Sequence, residues 1–266
     1  MGDFLDKADE LRKSEPLGDF QSDFDNVFNA ILKLQVVHSK SALDLDNIES
    51  VFATFEMAKL LNKFPGMTKD QIEILVSSIR RLILKTLDLK VRYPCRQGKF
   101  VRTYYDAFSK LIEDLNLQGN KSRCSIITFN YDIALDQSLE SNKYLLEYYI
   151  SDNPKQNLTP YLKLHGSLNW FECECGGILS WSISDITKTL GTDINEQRTY
   201  YNIPISESLP PPNLKHCGKK LKSEPFIVPP TWNKTAHHQN ISNVWSRAAH
   251  ELSEAEHIIV SGYSLP

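Results

Sequence analysis

The sequence predicts an α/β fold: a doubly wound parallel sheet with a helical N-terminal segment and a small inserted lobe that contains cysteines. Three observations predict it. Apolar residues recur at helical spacing through most of residues 1–120. Short β-rich apolar runs, each ending in polar or glycine residues, appear after residue 121. Between them, residues 171–224 carry cysteine and glycine pairs, a proline run and little periodicity.

From Ser22 to Val37, Phe24, Val27, Phe28, Ile31 and Leu34 fall on one helical face behind a candidate N-cap at Ser22 or Asp23. A second helix begins near Asp46 or Asn47, with Ile48, Val51, Phe52 and Phe55 on one side, and ends before the Pro65-Gly66 turn. Lys69 to Val91 and Val101 to Leu115 repeat the pattern. The period then changes. Cys124 to Phe129 is a β-rich run leading into Asn130-Tyr131-Asp132; Tyr161 to Leu164 leads into His165-Gly166; His257 to Val260 leads into Ser261-Gly262-Tyr263. Short uninterrupted apolar runs of this kind are expected of parallel strands buried on both faces. Ligands of open α/β sheets sit beyond the carboxyl ends of the strands, so the polar residues after these three runs are expected to converge on one crevice.

The 266 residues are 41% hydrophobic, enough for a sizeable core. With 30 basic and 33 acidic residues, the formal charge of -3 gives no global attraction to nucleic acid or to an anionic membrane surface. No apolar run is long enough to span a bilayer, and the opening MGDFLDKADELRK has acidic residues where a secretory signal is apolar, so the chain reads as cytoplasmic. The five cysteines, Cys95, Cys124, Cys173, Cys175 and Cys217, do not pair into a disulfide framework; the last three are candidate metal ligands.

Thr128-Phe129-Asn130-Tyr131-Asp132, then Lys163-Leu164-His165-Gly166-Ser167-Leu168-Asn169-Trp170, then Gly262-Tyr263-Ser264-Leu265-Pro266 resemble, in this order, motifs of the bacterial SIR2-like family, distantly similar to the sirtuins. Asn47-Ile48-Glu49 also looks like the helix that follows the family's N-terminal nucleotide loop. The resemblance implies a Rossmann-like core over 121–170 and 225–266, with 171–224 inserted, and NAD+ as substrate. Cleaving the nicotinamide–ribose bond develops positive charge on the ribose, so neutral groups that position the sugar and water matter more than strong bases. By resemblance, Asn130 orients the ribose or the attacking water and His165 accepts a proton. Thr128, Phe129, Asp132 and Gly166 border the nucleotide. Ser261, Gly262 and Tyr263 close its adenosine side, and Pro229-Pro230-Thr231 and Lys234 are further candidate lining. Each residue also has an ordinary reading: Asn130 as a turn residue, His165 as a packed histidine, Asp132 as a helix cap, Gly262 as a turn glycine.

The chain departs from the family in two places. Family members begin with a strand running into a Gly-Ala-Gly-x-Ser-type loop that cradles the pyrophosphate, and no such motif is present. Relative to the family the chain is therefore expected to be truncated at both ends. Sirtuins also hold a structural zinc on two Cys-x-x-Cys knuckles, whereas the corresponding residues here are Cys173-Glu174-Cys175-Gly176-Gly177 and His216-Cys217-Gly218. Adjacent residues chelate one tetrahedral ion only with strain, so a fourth ligand is not identified. The lobe is either a degenerate zinc ribbon or a decayed one with free thiols. Three functions remain open: an NAD+ glycohydrolase of bacterial antiphage defence, an NAD-dependent protein deacylase, and a non-catalytic ADP-ribose-binding module. Expected partners are NAD+ and a second copy or a partner defence protein, with neither nucleic acid nor membrane.

Overall fold

The computed structural model describes residues 3–37, 44–96, 99–100, 104–116, 124–155, 158–189, 200–211, 214–228 and 241–262. Four helices open the chain: α1 (Asp3–Ser14), α2 (Gln21–Val37), α3 (Ile48–Leu61) and α4 (Lys69–Lys90). Asn47 caps α3 by accepting the Glu49 N–H, as its position in the sequence predicts. α4 starts in a capping box between Thr68 and Gln71 and runs as the central rod against which α2 and α3 pack. Phe24, Val27, Phe52, Phe55, Leu75 and Ile79 interlock there, all but fully buried. The same core takes in Trp181, Ile183, Ile186, Ile203 and Ile205 from the stretch expected to be an inserted lobe, so these residues share one interior with the helices.

A short antiparallel ladder follows, β1 (Tyr93–Arg96) pairing with β2 (Lys99–Phe100) and with the later β8 (Tyr200–Tyr201). After α5 (Tyr104–Asn116) comes the part that positions the candidate site: β3 (Ile126–Thr128), α6 (Ala134–Ser141), β4 (Leu146–Glu147) and β5 (Thr159–Lys163). They form a small parallel sheet of order β3-β5-β4. β5 is buried along its whole length and alternates. Tyr161 faces Ile112, Ile126 and Leu139 of the α5 and α6 side, while Leu162 and Leu164 face Val244 and Ala248 of the last helix, α8 (Ser242–Glu254). A hairpin of β6 (Trp170–Glu172) and β7 (Ile178–Ser180) and the short α7 (Ile183–Thr189) complete the description.

One expected strand does not form. His257 to Val260 has no ladder partner among the described residues, and Ile258, Ile259 and Val260 are 62%, 82% and 60% exposed. β propensity is realised only where a neighbouring edge and a covering face are supplied, and residues 255–262 follow α8 into solvent instead. Among the described residues, no helix is long and apolar enough to cross a membrane.

Candidate functional site

Register makes the candidate site. Thr128 lies opposite Lys163 on the parallel β3–β5 pair, so Asn130 and His165, each two residues further on, leave the sheet at the same carboxyl edge. The turn between β3 and α6 is stitched to the segment after β5. The Thr128 carbonyl accepts the Leu164 N–H (2.9 Å), the Tyr131 carbonyl the Leu168 N–H (2.9 Å), and the Asp132 carbonyl the Lys163 ammonium (2.7 Å). The Asn130 N–H turns back onto Thr128 Oγ1 (3.1 Å), which leaves its side chain at the exposed rim. Asp132 Oδ1 accepts the Ala134 N–H (2.9 Å) and so orders the start of α6, the capping role its position allows. Phe129 and half-buried His165 set their rings 5.1 Å apart.

The other flank of His165 is closed by residues 226–228. Val228 donates its N–H to the His165 carbonyl (2.9 Å), and Gly166 bridges Ile227. Gly166 sits at φ +77°, and a Cβ there would stand 2.1 Å from the Phe226 carbonyl oxygen, so close packing demands glycine at this position. Ser167 and Asn169 are fully buried. Ser167 Oγ donates to Asn169 Oδ1 (2.6 Å), and Asn169 Nδ2 to the Trp181 carbonyl (2.8 Å), tying the strand end to the hairpin. Half of the second motif thus serves the fold.

Beneath the edge lies a polar cluster to which the sequence reading assigned no role. Lys163 and Asp136, both at 0% exposure, form an ion pair of 2.9 Å. Asp136 also accepts the hydroxyls of Tyr148 (2.7 Å) and Tyr161 (3.1 Å). Burial, and then the Asp136 carboxylate, push both phenols well above their ordinary range, so they stay protonated donors. The signal in sequence was a charged residue three positions from both Ile133 and Leu139, and a lysine directly after the apolar pair Tyr161-Leu162.

The third junction does not reach this edge as a strand end. Ser261 and Gly262 follow the unpaired run, both exposed, and Gly262 (φ +69°) has open space where a Cβ would stand among the described residues. Tyr263, Pro229, Pro230, Thr231 and Lys234 lie outside the described residues.

A second cluster occupies the β6–β7 hairpin. Ligand atoms of Cys173, Cys175, His216 and Cys217 lie within 4.8 Å of one another. Residues 214–222 fold back along β6, with Cys173 bridging Leu221, Glu174 donating to the Lys220 carbonyl and Lys222 to that of Glu172. Cys173 Sγ stands 3.7 Å from Cys217 Sγ, and Cys175 Sγ 3.2 Å from His216 Nδ1. Four donors about 2.3 Å (sulfur) and 2.0 Å (nitrogen) from one tetrahedral centre are separated by distances of this order. His216 is thus the fourth donor of the cluster. Two features relieve the expected strain of adjacent ligands: the Gly218 N–H closes a tight turn on the His216 carbonyl at φ +82°, and Gly177 lacks the Cβ that would press the His216 ring at 3.0 Å. The Gly177 N–H, with the Cys173 and Cys217 thiols, holds the Cys175 thiol below its ordinary range. The cluster could hold a metal ion such as zinc, and its four protein donors leave no position open for substrate.

Fold and site together define an α/β protein with a parallel-sheet carboxyl edge and a Cys3His metal-capable knuckle. No protein-family model matches the chain, and no curated protein matches it.

Proposed function

We propose that this chain belongs to a doubly wound, Rossmann-like enzyme of the SIR2-like type, acting as an NAD+ glycohydrolase: water and NAD+ give nicotinamide, ADP-ribose and a proton. The observation that supports this reading is the shared carboxyl edge of Asn130 and His165, set by the Thr128–Lys163 register. In it, the Asn130 amide orients the ribose or the attacking water by hydrogen bonds without adding charge beside the developing oxocarbenium. His165 takes up the proton released from water or a ribose hydroxyl, a task suited to imidazole near neutral pH. The exposed Phe129 ring beside His165 offers an apolar wall to the sugar. Depletion of NAD+ in the cytoplasm during phage infection is the role that the motif resemblance suggests for such an activity.

Incubation with a fluorescent NAD+ analogue tests the reading. The wild-type protein should release nicotinamide, and Asn130→Ala and His165→Ala should each lower turnover by about 100-fold or more. Absence of wild-type cleavage overturns it. In that case ADP-ribose binding by calorimetry would favour a binding module, and NAD-dependent deacylation of an acetylated peptide would favour a deacylase.

For the knuckle we propose zinc in a structural role. Metal analysis of purified protein should return about one zinc per chain, falling on His216→Ala and Cys175→Ser. Purification without stoichiometric metal, at neutral pH and under reducing conditions, would refute it.

A further inference from the structure

We infer that Lys163 is a positioning residue that sets the distance between the Asn130 turn and the His165 strand end. Its ammonium is fully buried and donates to two acceptors on different steps of the chain after β3: the Asp132 carbonyl at 2.7 Å, inside the turn, and Asp136 Oδ2 at 2.9 Å, on α6. Lys163 itself is the register partner of Thr128 and stands two residues before His165. One side chain therefore joins the strand that delivers His165 to the turn that delivers Asn130. The two neighbouring links, Leu164 to Thr128 and Leu168 to Tyr131, are backbone bonds that many sequences could make. Ser167 Oγ also reaches the Tyr131 carbonyl, at 3.4 Å, whereas the Lys163 bond to the Asp132 carbonyl is short and charge-assisted. Its aim is fixed from behind, because Asp136 is held in turn by Tyr148 and Tyr161.

A lysine present only to neutralise Asp136 would not need the second acceptor, and this difference is what the experiment reads. Lys163→Met leaves Asp136 buried and unpaired and should destabilise the protein. Lys163→Met with Asp136→Asn removes both charges, keeps an amide partner for the tyrosines and should recover the thermal midpoint. The inference rests on the glycohydrolase reading for its catalytic consequence: in the double variant kcat should stay about 100-fold down with KM little changed, since a misplacement of about 1 Å is enough for such a loss. Recovery of kcat along with stability would overturn it. A structural readout separates this from failure of the enzyme reading. Whether or not NAD+ is cleaved, amides 130–134 of the double variant should exchange hydrogen at least tenfold faster than in wild type, with β5 amides unchanged. Unaltered exchange at 130–134 would refute the tether.

Discussion

The contact between α6 and β5 and the contact between α4 and residues 205–208 each bury a carboxylate, and they treat it in opposite ways. Asp136 has a lysine ammonium and two tyrosine hydroxyls within hydrogen-bond distance. Asp88 accepts the Ser206 N–H at 2.6 Å, while Lys85 on the same helix donates its ammonium to Ser206 Oγ at 3.3 Å. Burial therefore dominates at Asp88 and pushes its carboxyl up to about 7, with the Ser206 bonds and Lys85 opposing and Glu207 adding to the rise. The first region surrounds its carboxylate with three side-chain donors, and in the second burial outweighs the donors present.

Removing the acid from the first region should have the largest effect. Asp136→Ala strands the fully buried Lys163 charge and leaves two phenols without their acceptor. Breaking a buried pair from one side costs about 3–5 kcal/mol, which in a chain of this size lowers the thermal midpoint by roughly 10 °C. Denaturant titration checks it, and a loss below about 1 kcal/mol would mean that the region relaxes and admits water.

How much of this was legible in sequence follows the range of the forces involved. α2, α3 and α4 were legible because an amphipathic stripe is a local record of burial. Phe24, Val27, Phe52 and Phe55 reach the core that their spacing predicts. α1 was not read as a helix, since its few apolar residues, Leu5, Ala8 and Leu11, are diluted by charge, yet all three are buried. The β3 and β5 runs paired as expected, whereas His257–Val260, equally β-prone, did not, because pairing depends on what lies beside a strand rather than within it. In the candidate site, Asn130 and His165 could be named from their motifs. The Lys163–Asp136 pair spans 27 positions and needed the folded register to appear. In sequence His216 carries the steric objection of a ligand adjacent to Cys217, which the Gly218 turn and the missing Gly177 Cβ relieve. The packing role of Gly166 was equally hidden, since the atom it makes room for belongs to Phe226.

Asp88 offers the smaller, pH-dependent half of the comparison. The groups facing it are Lys85 from α4, Ser206 and Glu207 from the turn, and Tyr93 and Asp132, which share with it a cavity of about 10 Å³. The folded carboxyl takes its proton at about 7 and the unfolded one near 3.8. Between those values the native state binds more protons at this group, so its contribution to stability is fully present below about pH 4, falls as pH rises through the window, and is gone above about pH 7. The full linkage is on the order of 4 kcal/mol, an upper figure that relaxation of the site reduces. Asp88→Asn keeps an oxygen for the Ser206 N–H but cannot ionise. The variant should match wild type near pH 4 and exceed it by a few kcal/mol at pH 8, seen as a flattened stability profile in urea titrations between these limits. A profile of unchanged slope would assign the pH dependence to other groups and leave Asp88 ionised beside Ser206.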